Sequence, residues 1–372
     1  MTILLLSPLP PPPGGIATWT KNILEYMAAN PDGFEIIHQD TAIRSRDYMK
    51  TDVFSRMFYG TMEAIKTLVE LKENIRKFKP DIIHLTSSSS FALFKDYLIM
   101  KIAGSNKIPV LVHWRFGRIP FMATSRNLEW QLLRRVSRGC NMSIVLDVKS
   151  FDSLRNAGLS NIILIPNPVG REDEILIGQA AAVNPVKKKG TVLFAGQVIK
   201  SKGVYELVEA CTFVQQVKEL ILAGPCDEHI KKELETIGSR REKGEWLRFT
   251  GCIDRISVRE LMQSSPLVVL PSYTEGFPNV ILEAMSMRCA IIATNVGAIP
   301  EILDTFSGKP CGICIPPRDS VRLCEAIAAL ADDPAREMIL GKNGASRVMD
   351  NYTLGNIMRQ YKSVWREILS AV

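Results

Sequence analysis

No apolar run in this sequence approaches the roughly 20 residues of a membrane-crossing helix. The longest runs, such as SPLVVLPS and CAIIAT, are strand-length. The start, MTILLLSPLPPPPGG, lacks a positively charged n-region and a small-residue cleavage site. It is expected to be a first strand rather than a secretory leader. Cysteine is sparse and scattered: of eight, only Cys311 and Cys314 form a C-x-x-C pair, and no second pair or nearby histidine completes a zinc set. No metal site is expected, and the cysteine usage suits a reduced, cytoplasmic chain. A G-x-G-x-x-G dinucleotide fingerprint is also missing.

What is present is ordinary globular composition, 46% hydrophobic and 23% charged, on 372 residues, enough for two domains. The net charge of +7 is uneven. Residues 1–168 hold 21 Lys and Arg against 14 Asp and Glu, while the rest is neutral. A basic first half points to an anionic partner, either a membrane surface or a phosphate-bearing substrate, and equally to a merely solvated face. The interleaved basic and aromatic stretch IRSRDYMKTDVFSRMFYG, 43–60, is the candidate for resting on an anionic membrane, or for a mobile acceptor loop.

Twelve short, β-branched-rich runs alternate with helical patterns: TILLLS, FEIIHQ, PDIIHLT, IPVLVHW, MSIVLD and NIILIPN, then GTVLFAG, ELILAGP, WLRFTG, PLVVLPS, AIIATN and CGICIPP. Continuous apolar strands are buried on both faces, as in parallel sheets. The expected fold class is α/β, with two doubly wound Rossmann-like domains, 1–168 and 169–354. The prolines, glycine and charges of LIPNPVGREDE, followed by GQAAAVNPVKKKG, read as the passage between them. The tail helix, about 355–372, carries Ile357, Tyr361, Val364, Trp365 and Ile368 on one face and is expected to pack back on the first domain.

Such sheets bind ligands beyond the carboxyl ends of their strands. After the first strand, Gly14 and Gly15 open a helix, either as a tight turn or to admit a phosphate to backbone N–H groups. Ser87–Ser90 follow the third strand, with helix capping the simpler role. His113 ends the fourth, as a satisfied structural residue or as a hydrogen-bond donor to substrate. Lys200 and Lys202 follow GTVLFAG in a short loop that can reach a diphosphate, or be a solvated turn. PSYTEGFPNVILEAM then sets Glu275 in a loop, shapes the turn with Gly276 and Pro278, and places Asn279 and Val280 at a helix start suited to anions. Glu283 stands inside the apolar run of that helix. A buried carboxylate needs a partner, protein or ligand. Two carboxylates beside an anion-binding helix start suit a ligand with both hydroxyls and phosphates, such as a nucleotide-sugar.

The spacing of Glu275 and Glu283 within E-G-F-P-N-V-x-L-E-A-M, with ATNVGAIPEIL, resembles glycosyltransferase family 4, retaining enzymes of the GT-B fold, in which two such domains face each other across a cleft. PPPGG, PDIIHLTSSSS, VLVHW and IPNPV carry weaker likeness in the first half. The resemblance implies a hexosyltransferase of the bacterial surface-polysaccharide type. Glu283 would bind the ribose hydroxyls, and Glu275 would sit at the donor sugar. The backbone of Phe277 to Val280 would contact sugar and phosphate. Gly14 and Gly15 would approach the diphosphate, His113 would lie beside the reacting sugar, and Lys202 would neutralise the departing diphosphate. Gln197 stands where the family often has Arg. No cofactor is implied beyond the nucleoside diphosphate-sugar itself, a UDP-sugar favoured over a GDP-sugar. With no Asp-x-Asp pair the scheme is metal-independent. The acceptor is expected to be a lipid-linked saccharide and the chain peripheral on the inner membrane face; no nucleic-acid partner is expected. A nucleotide-sugar epimerase and a non-catalytic nucleotide-binding scaffold are the competing readings.

Overall fold

The computed structural model describes residues 1–371 apart from 12–13, 43–52, 89–91, 183–185, 242–243 and 307; the side chains of 53–59 and 179–182 are also left aside. The chain divides into two compact units, Met1–Pro168 with Leu354–Val372, and Val169–Thr353. The twelve apolar runs are the twelve strands.

In the first unit, β1 (Thr2–Ser7), β2 (Glu35–Asp40), β3 (Ile82–Ser87), β4 (Val110–Trp114), β5 (Met142–Val145) and β6 (Ile162–Leu164) form one sheet in the order β2-β1-β3-β4-β5-β6. Every pairing is parallel. Both faces are covered. Leu4 and Leu6 turn to one helical layer, and Ile3 and Leu5 to the other. The second layer includes the C-terminal helix Leu354–Ser370, with Ile357, Tyr361, Val364, Trp365 and Ile368 all buried. At roughly 1.5–3 kcal/mol for a fully buried large apolar side chain, an upper estimate, this face holds the helix to the first unit.

In the second unit, β7 (Thr191–Ala195), β8 (Glu219–Ala223), β9 (Leu247–Gly251), β10 (Leu267–Leu270), β11 (Ala290–Thr294) and β12 (Ile313–Ile315) form a parallel sheet ordered β12-β11-β10-β7-β8-β9. This is the doubly wound order, with its reversal between β7 and β10, and sheets of this kind bind ligands at the carboxyl ends beside the reversal.

The expected interdomain passage is corrected in part. REDEILIGQAAA is not linker but a helix, Arg171–Ala182, of the second unit. Its first turn is acidic, which suits the positive end of a helix, and Asp173 is fully buried against Arg259. Of the basic and aromatic stretch 43–60, residues 43–52 lie outside the described residues, and 53–60 open the helix Val53–Phe78.

Candidate functional site

The reversal point of the second sheet brings together two loops predicted separately. After β7 the chain makes a short turn, Lys200–Lys202, closed by Gly203 at φ +69°. A Cβ at Gly203 would lie 2.1 Å from the Pro271 carbonyl oxygen, so only glycine lets this turn lie flush on the loop after β10. The Tyr273 N–H donates to the Ser201 carbonyl at 2.9 Å. Lys202 Nζ then reaches Glu275 Oε1 at 2.6 Å. From the other side, Gly297 (φ +55°) leaves a Cβ no room against the Glu275 and Gly276 carbonyls, and the Ala298 N–H donates to the Gly276 carbonyl at 2.9 Å. Glu275 and Gly276 are thus held by backbone on both flanks. Gln197 is exposed at the carboxyl end of β7.

The helix Asn279–Ser286 follows, with Pro278 at its N-cap rather than inside its first turn, and no side-chain cap bond. Phe277 turns its ring toward Tyr352, 6.1 Å between centroids, and packs on the core, leaving the 277–280 backbone as the polar feature of this turn.

Glu283 has a protein partner. Arg255 Nη2 lies 2.8 Å from its Oε1 and 3.5 Å from Asp173 Oδ2. Arg259 binds Asp173 through Nε at 2.6 Å and also pairs with Glu172. Three carboxylates and two guanidiniums form one chain, Glu172–Arg259–Asp173–Arg255–Glu283. Burial pushes the Glu283 carboxyl up, with Arg255 opposing it. The expectation that a ligand alone would satisfy this carboxylate is therefore corrected; a ligand hydroxyl would join a pair already formed. Sequence reading missed Arg255 and Arg259. The signal was there: they stand four apart on the helix Arg255–Ser264, hence on one face.

In the first unit, Gly14 caps the helix Gly15–Ala29 in extended backbone, and a Cβ there would meet no protein atom within 4 Å. Neither local conformation nor packing within the chain asks for glycine at 14. Ser87 does not cap a helix; its hydroxyl donates to the buried Asp96 at 2.5 Å. Ser89 and Ser90 lie outside the described residues.

His113 is brought to a place other than expected. The alternation of β4 turns it to the same side as Leu111, where Trp19 and Tyr361 close over it at 5.3 and 5.7 Å and His84 stacks at 5.7 Å. Its ring is fully buried, so in this structure it does not lie open beside a substrate. Arg115 Nη1 is 3.3 Å from His113 Nε2 and 2.6 Å from Asn167 Oδ1, and its guanidinium lies over Trp19. Arginine only donates, so Nε2 accepts and the proton sits on Nδ1, which has no partner. Burial and the Arg115 charge hold the His113 ring well below its ordinary range, and His84 at about 3.

Fold and site together define two doubly wound α/β units, the second with a cation, a carboxylate and a helix start at its reversal point. Residues 189–333 match the family model of glycosyl transferases group 1, and this part of the chain belongs to that family. A Bacillus subtilis relative, the putative teichuronic acid biosynthesis glycosyltransferase TuaC, is 32% identical over 260 residues, 68% of this chain and 61% of its own length. The chain thus spans less than two thirds of that relative. Among solved structures, sucrose-phosphate synthase from Thermosynechococcus elongatus superposes with a TM-score of 0.78 at 20% identity, over all of both chains. Anabaena HepE in complex with UDP gives 0.71 at 17%, again over all of both chains. The fold is that of the GT-B glycosyltransferases.

Proposed function

We propose that this chain is a retaining glycosyltransferase that moves a hexose from a nucleoside diphosphate-sugar, UDP-linked, to an acceptor hydroxyl in polysaccharide assembly. The observation that carries the reading is the Lys202–Glu275 pair at the β7/β10 reversal, beside the start of the helix Asn279–Ser286. Charge grows on the departing diphosphate in the transition state, and a fixed ammonium with a helix start is what such charge requires. Lys202 would exchange part of its contact with Glu275 for the diphosphate, freeing Glu275 to accept from sugar hydroxyls. Glu283, oriented by Arg255, would accept from the ribose. Gln197 would hydrogen-bond phosphate without bringing charge. Gly14 and Gly15 would admit the diphosphate to the N-terminus of their helix. The enclosed His113 is assigned no contact with the sugar. Lys202 and the helix start would do the work a metal would otherwise do, so the reading is of a metal-independent enzyme. The teichuronic acid biosynthesis role given to TuaC and the UDP bound to HepE support the polysaccharide and UDP assignments.

The acceptor is read as a saccharide on a lipid carrier. Support comes from the first unit, where Arg126, Arg134, Arg135 and Arg138 line an open groove and Phe121 and Leu128 are 68% and 82% exposed. Basic residues mixed with exposed apolar ones suit an anionic bilayer. No helix among the described residues is long and apolar enough to cross a membrane, so contact would be peripheral.

The test is thermal unfolding with UDP, GDP, ADP or TDP, in EDTA. A ligand at ~100 times its Kd adds roughly 2.7 kcal/mol, a rise of several degrees for units of this size. The expected result is a shift with UDP above the others, lost in Glu283→Ala. No shift with any nucleotide would overturn the donor assignment.

A further inference from the structure

A second cavity in the Val169–Thr353 unit lies at the opposite end of its sheet. It has a volume of about 320 Å³, at the lower end of the roughly 300–1,000 Å³ typical of small-molecule sites. Thr191 and Leu267, the first residues of β7 and β10, are in its wall, so it sits at the amino ends of the strands. The site described above uses the carboxyl ends. The two are therefore distinct places on one unit.

The lining is aliphatic. Val192, Val217, Leu267, Ile327, Ala331 and Met338 are among its residues, and no aromatic ring takes part. A base or sugar ring would find nothing to stack on; a flexible hydrocarbon chain would find a matching wall. Met338 is 56% exposed and adaptable in shape.

The polar groups of the wall are cationic. Lys187 Nζ donates to the carbonyls of Met262, Ser265 and Met287 at 2.9, 3.1 and 2.8 Å. It fixes the carboxyl ends of two helices, Arg255–Ser264 and Asn279–Ser286, where a cation is favoured. Lys189, Arg288 and Lys342 add three more positive charges, against the single carboxylate Glu337, which burial pushes toward its neutral form.

We propose that this cavity binds an anionic amphiphile as a single molecule, its aliphatic chain over Leu267, Ala331 and Met338 and its acidic head among Lys189, Arg288 and Lys342. The ligand is one acyl or alkyl chain with a carboxylate or phosphate head. The site does not depend on the donor reading, since it shares no residue with it.

The experiment is calorimetric titration of the full chain with octyl phosphate as monomer, with 1-octanol (chain alone) and with inorganic phosphate (head alone). One-to-one binding of octyl phosphate, at least about tenfold tighter than either part, is the expected result. Ala331→Phe, which fills the cavity, and Lys342→Glu, which reverses the rim charge, are each expected to weaken it by about tenfold or more. Circular dichroism and the unfolding midpoint check that each variant folds; should Ala331→Phe not fold, Lys342→Glu stands alone. Excess UDP is expected to leave octyl phosphate binding unchanged. Displacement by UDP, equal binding of octanol, or undiminished binding in folded variants would overturn the proposal. Binding to phosphatidylglycerol vesicles but not to monomeric octyl phosphate would also overturn it, because it would mark a membrane surface rather than a cavity for one chain.

Discussion

The two units carry the same architecture and treat buried polarity in opposite ways. In the second, the buried Asp173 and the partly exposed Glu283 are paired with Arg259 and Arg255, and the chain of charges ends at the surface on Glu172. In the first, His84, His113, Trp19, Tyr361 and Trp365 crowd between sheet and helices, and His84 has no hydrogen bond on either ring nitrogen. Nδ1 of His113 and the Trp365 indole N–H are likewise unbonded, and Arg115 is a cation set against this cluster. One unit fixes a carboxylate by opposite charge. The other keeps imidazoles neutral by enclosure. Paired charges resist removal of a partner badly; enclosed neutral bases resist acid badly.

The largest effect should come from breaking the paired chain at its centre. Arg259→Leu leaves Asp173, which is fully buried, with only the 3.5 Å contact to Arg255. Leaving a buried charge underpaired costs about 3 kcal/mol or more, or roughly 6–12 °C in the midpoint of a unit this size. The double variant Arg259→Leu with Asp173→Leu should recover much of that loss, since no orphan charge remains. Equal loss in both variants would mean that packing, not charge, holds this corner.

Next in size is the pair at the site. Lys202→Ala should lower kcat by about 100-fold or more, as loss of one preorganised transition-state donor does, while the unfolding midpoint stays close to the parent's. Steady-state turnover of a UDP-sugar reads it. A fall confined to KM would assign Lys202 to ground-state binding alone.

The enclosed histidines give the stability of the first unit a pH dependence. The unfolded chain takes up protons near 6.5, while His84 in the fold does so only at about 3 and His113 is also held low. Their stability contribution is whole above about pH 6.5 and is lost as the pH falls, by about 1.4 kcal/mol per pH unit for each ring. Four of the five tryptophans, all but Trp246, are in the first unit, so tryptophan fluorescence follows this loss selectively. His84→Leu should flatten the slope between pH 6.5 and 5. An unchanged slope would place the acid sensitivity elsewhere.

Much of this was legible in the sequence, for a physical reason. Parallel strands buried on both faces leave continuous apolar runs, and all twelve were visible as such. Gly203 and Gly297 mark the places where two loop backbones touch, and both stood at sequence motifs, the Lys200–Lys202 loop and ATNVGAIPEIL. Arg255 and Arg259 did not, because an i, i+4 arginine pair on an otherwise amphipathic helix reads as solvated surface until Asp173 is known to be buried behind it. The burial of His113 was illegible for a related reason. Strand alternation tells which face a residue takes, but not that Trp19 and Tyr361, 94 residues before and 248 after it in the chain, would close that face.

The smallest expected effect concerns Gln197, an uncharged residue where the family resemblance implies Arg. Gln197 is exposed at the end of β7, ahead of Lys202 in the same loop. If Lys202 alone carries the electrostatics of the diphosphate, Gln197→Arg adds a second cation at a partly solvated place. Charge-assisted bonds gain less there than in a dry site, so UDP should bind several-fold tighter, about 1 kcal/mol. The gain should shrink as salt rises from low to physiological strength. Combined with Lys202→Ala, the arginine should restore part of UDP affinity but little of kcat, because its side chain starts from solvent whereas Lys202 is held by Glu275. Full rescue of turnover would mean that the site asks only for positive charge nearby, and that the Lys202–Glu275 geometry is incidental.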